Sequence, residues 1–262
     1  MKLQEYGKQK PCYYCGADGP STREHVPPQM MFAGFARNSI TVPSCDKHNT
    51  KKSIGDRAII TALIMSASQM FKHRDTLHIY LTPNVITAIK KAEPYFDLAK
   101  NDVRFRDFLI DPPDDLDIPL PYLELNTNIR EWFKQLTAAL IWSIVGRHDP
   151  NLQWDNASVG SLGFVETAGP ITFQKAVSIR QKNANLERQF NEMQWYSGWS
   201  ATPKSYPDDI YSFDLSFSEN IVEGVNVFFR HRFYYNTSVW YVLFKAPPEI
   251  VDTLVAATNI VA

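Results

Sequence analysis

CYYCGADGPSTREHVPPQMMFAGFARNSITVPSCDKHN, residues 12–49 of a 262-residue chain, decides the reading of the whole. It holds all three cysteines of the protein, Cys12, Cys15 and Cys45. Cys12-x-x-Cys15 runs into Gly16, where the backbone is free to turn. Thirty residues after Cys15 comes Cys45-x-x-His48. Each x-x pair lets two ligands converge, and two such knuckles supply the four tetrahedral sulfur and nitrogen ligands of a closed structural zinc site. A lone CxxC would say little; two half-sites that consume every cysteine say much more. The spacing predicts a structural Zn2+ on Cys12, Cys15, Cys45 and His48. The plain alternative, three ordinary cysteines beside an incidental histidine, leaves that spacing unexplained.

An odd cysteine count near the N-terminus argues against a disulfide scaffold and for metal ligation in a reducing compartment. The opening MKLQEYGKQK is polar and lacks the apolar stretch of a signal peptide. The longest apolar run, AIITALIM at 58–65, is far short of the ~20 residues that span a bilayer. The expectation is a cytoplasmic protein with no membrane partner. Charge adds a local signal. The formal net charge is −1, but residues 1–60 carry nine Lys/Arg against five Asp/Glu, a net of +4 that leaves −5 for the rest. A basic module on a mildly acidic body suits local phosphate contact rather than wholesale coating of nucleic acid.

Between the two half-sites lies Thr22-Arg23-Glu24-His25-Val26-Pro27-Pro28, and Asn49 follows His48 directly. The order CxxC … Glu-His … CxxH-Asn resembles the zinc-stapled HNH (ββα-metal) endonucleases, of the uncharacterised bacterial HNH type, whose pattern is CxxC … (Asp/Glu)-His … CxxC-Asn. The resemblance covers residues 12 to about 56. It implies a β-hairpin carrying the acid–His pair, a following helix carrying the Asn, and a divalent ion, Mg2+ or Mn2+, between them. Glu24 and Asn49 would hold the ion and His25 would activate water. The implied activity is hydrolysis of DNA phosphodiester bonds, DNA ahead of RNA, in a setting such as restriction or antiviral defence.

The residue chemistry agrees with this reading. Glu24 offers a hard oxygen to a divalent cation. His25 carries the side chain that exchanges protons most readily near neutral pH. Neighbours on a strand point to opposite faces, so the pair can take separate roles. Neighbours on a helix diverge by about 100°, so His48 can face zinc while Asn49 faces the second ion.

The chain departs from the family pattern in three ways. The fourth zinc ligand is His48 rather than Cys. Glu24 replaces the commoner Asp and sets its carboxylate one methylene farther out. The last His of the family name has no counterpart; Asp56, two turns on, is the nearest acid, and a solvated or helix-pairing role competes for it. Arg23 and Lys52 are candidate phosphate contacts, with Lys51 an even choice between that and a solvated surface charge.

The fold class expected is α+β: a zinc-bound ββα unit over residues 1–72, then a mixed helical and antiparallel-β region over 73–262. Residues 46–71 read as a helix, with Ile59, Ile60, Leu63, Ile64 and Met70 on one stripe. Pro83 opens another helix. The Pro- and Asp-rich stretch 111–121 is the best internal boundary. Residues 126–147 form the clearest helix, capped by Asn126 or Thr127 and ended by Gly146, with Ile129, Trp132, Phe133, Leu136, Leu140, Ile141 and Ile144 buried. Residues 155–209 are ambiguous.

From 210 onward β-branched and aromatic residues alternate in strands. Arg230-His231-Arg232 in that sheet reads as an exposed strand edge or a core-flanking pair ahead of a nucleic-acid contact, and His73, His78, His148 and His231 as structural. The large C-terminal region leaves room for a homodimer or a regulatory protein partner. Two functional readings stand: a metal-dependent endonuclease, and a catalytically inactive zinc-stapled nucleic-acid-binding module, which has no need of the Glu24, His25 and Asn49 trio. A cysteine nucleophile fails on supply, since zinc takes all three thiols.

Overall fold

The computed structural model describes residues 10–19, 22–32, 40–49, 103–107, 121–125, 129–152, 154–162, 194–195, 210–217, 225–234 and 238–259, together with single helical positions between 56 and 90 and between 178 and 192. Met70, Lys51, Lys52, the caps Asn126 and Thr127, and most of the expected boundary at 111–121 lie outside them.

The fold mixes helices with antiparallel sheets. β1 (Thr22–Val26) and β2 (Ile40–Ser44) pair as an antiparallel hairpin, with Glu24 opposite Val42 and His25 opposite Thr41. Helical residues 46–49 follow β2 at once. Positions 56, 59, 60, 63 and 64 are helical too, and Ile59, Ile60, Leu63 and Ile64 are all buried, as the spacing of the stripe predicts. β3 (Val103–Asp107) and β4 (Pro121–Leu125) form a second antiparallel pair.

The largest sheet has five strands in the order β5-β9-β8-β7-β6, all neighbours antiparallel. Its members are β5 (Ser158–Leu162), β6 (Gln194–Trp195), β7 (Tyr211–Phe217), β8 (Val225–Phe233) and β9 (Ser238–Ala246). The last three match the aromatic, β-branched runs, and β5 and β6 come from the ambiguous stretch. One face of this sheet presents Phe213, Phe229, His231, Phe233 and Trp240 to α1 (Ile129–Val145). Phe133 of α1 stacks on Trp240 with ring centroids 4.4 Å apart and meets His231 at 5.6 Å and Phe233 at 5.9 Å. α2 (Pro248–Asn259) packs beside α1 and β8.

α1 is buried more completely than its sequence stripe predicts. Thr137, Ala138 and Ala139 are buried along with Ile129, Trp132, Phe133, Leu136, Leu140 and Ile141, while Ile144, also expected on the buried face, is half-buried. The reason is that α1 packs against several elements: β1 and β2 of the hairpin, β5 and β9 of the sheet, and α2. A helix enclosed in this way has little polar face to show. Gly146 ends it in a left-handed conformation, φ 77°, with its N–H bonded to Trp142 O at 2.7 Å. Buried residues of the N-terminal hairpin, of α1 and of the sheet join in one hydrophobic cluster.

Candidate metal centre and active site

The four expected zinc ligands converge. One donor atom each from Cys12, Cys15, Cys45 and His48 lies within 4.8 Å of the other three. Cys45 Sγ is 3.2 Å and Cys12 Sγ 3.7 Å from His48 Nδ1, and Cys15 Sγ is 3.9 Å from Cys45 Sγ. With Zn–S of ~2.3 Å and Zn–N of ~2.0–2.1 Å, a regular tetrahedron has S···S edges of about 3.8 Å and S···N edges of about 3.6 Å. The cluster therefore fits a structural metal such as zinc.

The local chain explains why the ligands meet. Gly16 N–H bonds to Cys12 O at 2.9 Å, and Cys12 N–H to Ala17 O at 3.1 Å, which folds the first knuckle. Cys45 O receives the N–H groups of both His48 (3.0 Å) and Asn49 (2.9 Å), which folds the second. Burial opposes ionisation of Cys12, but the backbone amides of Cys15, Cys45 and Tyr14 outweigh it and hold its thiol below the ordinary value. Cys15 is pushed up to about 11, first by burial and then by crowding against Cys12 and Cys45. A cation among these sulfurs removes that crowding cost, since a coordinating thiol is deprotonated outright.

The candidate catalytic residues sit around this staple. Glu24 is on β1 and 5% exposed. Tyr13 Oη donates to Glu24 Oε1 at 3.3 Å. The Tyr13 phenol is held well above its usual pKa, chiefly by burial and next by the Glu24 charge, so it remains the donor. His25, next along β1, is half-buried, and Arg23 is exposed. Asn49 Nδ2 donates to Thr22 Oγ1 at 2.6 Å, while Thr22 Oγ1 donates to Ser44 O at 3.0 Å.

A hydroxyl has a single proton, so with that proton on Ser44 O the Thr22 oxygen must accept. This fixes the Asn49 amide with nitrogen toward Thr22. Its oxygen, the atom a hard cation takes, is the other one. Thr22 stands two residues before Glu24, and alternate strand residues share a face. Asn49 is thus tied to the strand that carries both Glu24 and His25.

Several contributors were not legible from the sequence. Tyr14 Oη donates to Glu131 Oε1 of α1 at 2.6 Å, and its ring meets His48 edge-on at 5.1 Å. His148 Nδ1 lies 3.2 Å from Tyr13 O. Asp56, weighed as a functional acid, accepts from Trp132 Nε1 at 2.5 Å, which ties it to α1. These contacts join residues up to 135 apart in sequence, and no local pattern marks them.

Of the two structural readings of Arg230-His231-Arg232, exposed strand edge and core-flanking pair, the second holds. Both arginines bond Asp214, at 2.7 and 2.8 Å. His231 is fully buried between Thr137 Oγ1 and Tyr211 Oη, each 2.9 Å away, and burial pushes its pKa down to about 3.

No helix among the described residues is long and apolar enough to cross a membrane. No family model matches the chain, and neither does any curated protein or any solved structure.

Proposed function

We propose that this chain is a metal-dependent endonuclease of the HNH type, acting on DNA phosphodiester bonds. The observation that carries the reading is the Asn49–Thr22 hydrogen bond, which holds an amide beside the strand bearing Glu24 and His25. The Cys3His cluster clamps the start of the hairpin unit to the start of the helix, so this placement does not depend on a loose loop.

Glu24 and Asn49 would hold a Mg2+ or Mn2+ ion, which when bound would supply charge neutralisation at the phosphate and at the leaving oxygen. His25 accepts a proton from the attacking water as the water oxygen bonds to phosphorus; the P–O bond to the leaving group breaks, and the leaving oxygen takes its proton from solvent water. Arg23, exposed on the same strand, steadies the flanking phosphate, and Lys52 is its proposed companion. The reaction needs no cysteine chemistry, because zinc engages the thiols.

A second reading is favoured by the burial of Glu24 and its bond to Tyr13, which suit a purely structural carboxylate. On that reading the unit grips nucleic acid without cutting it. Nicking of supercoiled plasmid in Mg2+ or Mn2+ separates the two. We expect the wild type to nick and His25→Ala to keep its zinc and fold while losing cleavage. Equal cleavage by both proteins removes His25 as the base, and DNA binding without any cleavage favours the second reading.

A further inference from the structure

We infer that Tyr13 is the positioning residue for Glu24, fixing the orientation of the carboxylate that receives the divalent ion and tying it to the zinc knuckle. The inference rests on the nuclease reading above. Tyr13 stands between two zinc ligands in sequence, yet its side chain is 2% exposed and turned into the core. Its backbone is held on both sides: the N–H by Pro43 O of β2 at 2.8 Å, the carbonyl by His148 Nδ1 at 3.2 Å. A ring carried on so fixed a backbone presents its hydroxyl at a fixed point. That hydroxyl meets Glu24 Oε1 at 3.3 Å.

The length of Glu24 gives the contact its purpose. Glutamate has one more rotatable bond than the aspartate more common at such a position, and a freely turning carboxylate loses entropy when it takes a cation. A hydrogen bond to one oxygen removes that freedom in advance. Ligating carboxylates are characteristically hydrogen-bonded in turn, and losing such a partner costs about 10- to 100-fold in metal affinity. The zinc knuckle thereby acts on the second ion through a single side chain. Loss of zinc should loosen Tyr13 and the carboxylate together.

The test is calorimetric titration of the full-length, zinc-loaded protein with Mn2+ alone. Tyr13→Phe should keep its zinc and its fold, and its Mn2+ Kd should rise about 10- to 100-fold. In a Glu24→Gln background the same change should have no further effect, because Tyr13 acts through Glu24. An unchanged Mn2+ Kd in Tyr13→Phe, with Glu24→Gln weakened, overturns the positioning role and leaves the nuclease reading standing. Equal Mn2+ binding by Glu24→Gln and wild type overturns both.

Should Tyr13→Phe fail to fold, Glu24→Asp carries the test. Aspartate is itself a good ligand, and its carboxylate is drawn back one methylene from the phenol that Glu24 meets at 3.3 Å. A weakened Mn2+ Kd supports the inference, and an equal or tighter one overturns it.

Discussion

Replacing Gly16 with alanine tests how the zinc knuckle is built into the rest of the molecule. Gly16 sits at φ 68°, in the left-handed region, and a Cβ there would lie 2.5 Å from His148 Cδ2 and 2.8 Å from His148 Nε2. Two costs follow. Holding alanine in the left-handed conformation costs roughly 1–2 kcal/mol. Moving the imidazole aside sacrifices its 3.2 Å contact with Tyr13 O, about 1 kcal/mol. The sum, about 2–3 kcal/mol, corresponds to a fall in Tm of roughly 5–10 °C for a chain of this size. Urea and thermal melts of the zinc-loaded protein measure it.

A double-mutant cycle divides the two parts. In a His148→Ala background the steric part vanishes, so Gly16→Ala should cost only the backbone share of about 1–2 kcal/mol. A Gly16→Ala protein that melts with the wild type, or one whose penalty His148→Ala leaves unchanged, refutes the packing of this knuckle against the segment after α1.

Three other outcomes follow from the same geometry. Cys12→Ser should lose its zinc and leave the N-terminal unit unfolded or aggregated, since a structural metal supplies folding free energy; elemental analysis and solubility check it. Trp132→Phe takes away the indole donor to Asp56 and should cost about 1–3 kcal/mol in a denaturant melt, with little change in zinc content. His231 is neutral in the core, its folded pKa depressed to about 3 against an ordinary 6.5. Its stability share is full above about pH 6.5 and is lost as the pH falls toward 3, by up to ~1.4 kcal/mol per pH unit. Between pH 6.5 and 5 the wild type should therefore lose about 2 kcal/mol more than His231→Phe.

The metal cluster was legible because its information is local: two x-x spacings fix two turns, and four donors have one common geometry. The sheet strands at 211–217, 225–233 and 238–246 were legible from alternation and β-branched, aromatic composition. Helix α1 was found in place, but Thr137, Ala138 and Ala139 are buried beyond the expected stripe and Ile144 less than expected, because an amphipathic reading assumes one covered face and α1 packs against the hairpin, the sheet and α2. Strands β5 and β6 were not found. β6 is two residues long, and β5 owes its existence to pairing with β9 far along the chain.

At the site, Glu24, His25 and Asn49 were singled out, while Tyr13, Thr22 and His148 were not. Their roles come from partners that only the fold brings near: Glu24 for Tyr13, Asn49 for Thr22 and the Tyr13 carbonyl for His148. The two tyrosines inside Cys12-x-x-Cys15 were the one available hint, since buried phenols need hydrogen-bond partners.

On the nuclease reading, a zinc-clamped hairpin and helix bring a carboxylate and an amide to a second, hard cation, with an imidazole on the same strand as the base. Anomalous diffraction from crystals soaked in Mn2+, recorded at the zinc and manganese edges, tests it most directly. A zinc peak should lie about 2.3 Å from the sulfurs of Cys12, Cys15 and Cys45. A separate manganese peak should lie on Glu24 and Asn49 Oδ1. A manganese peak on other residues, or none at Glu24 with zinc in place, would contradict it.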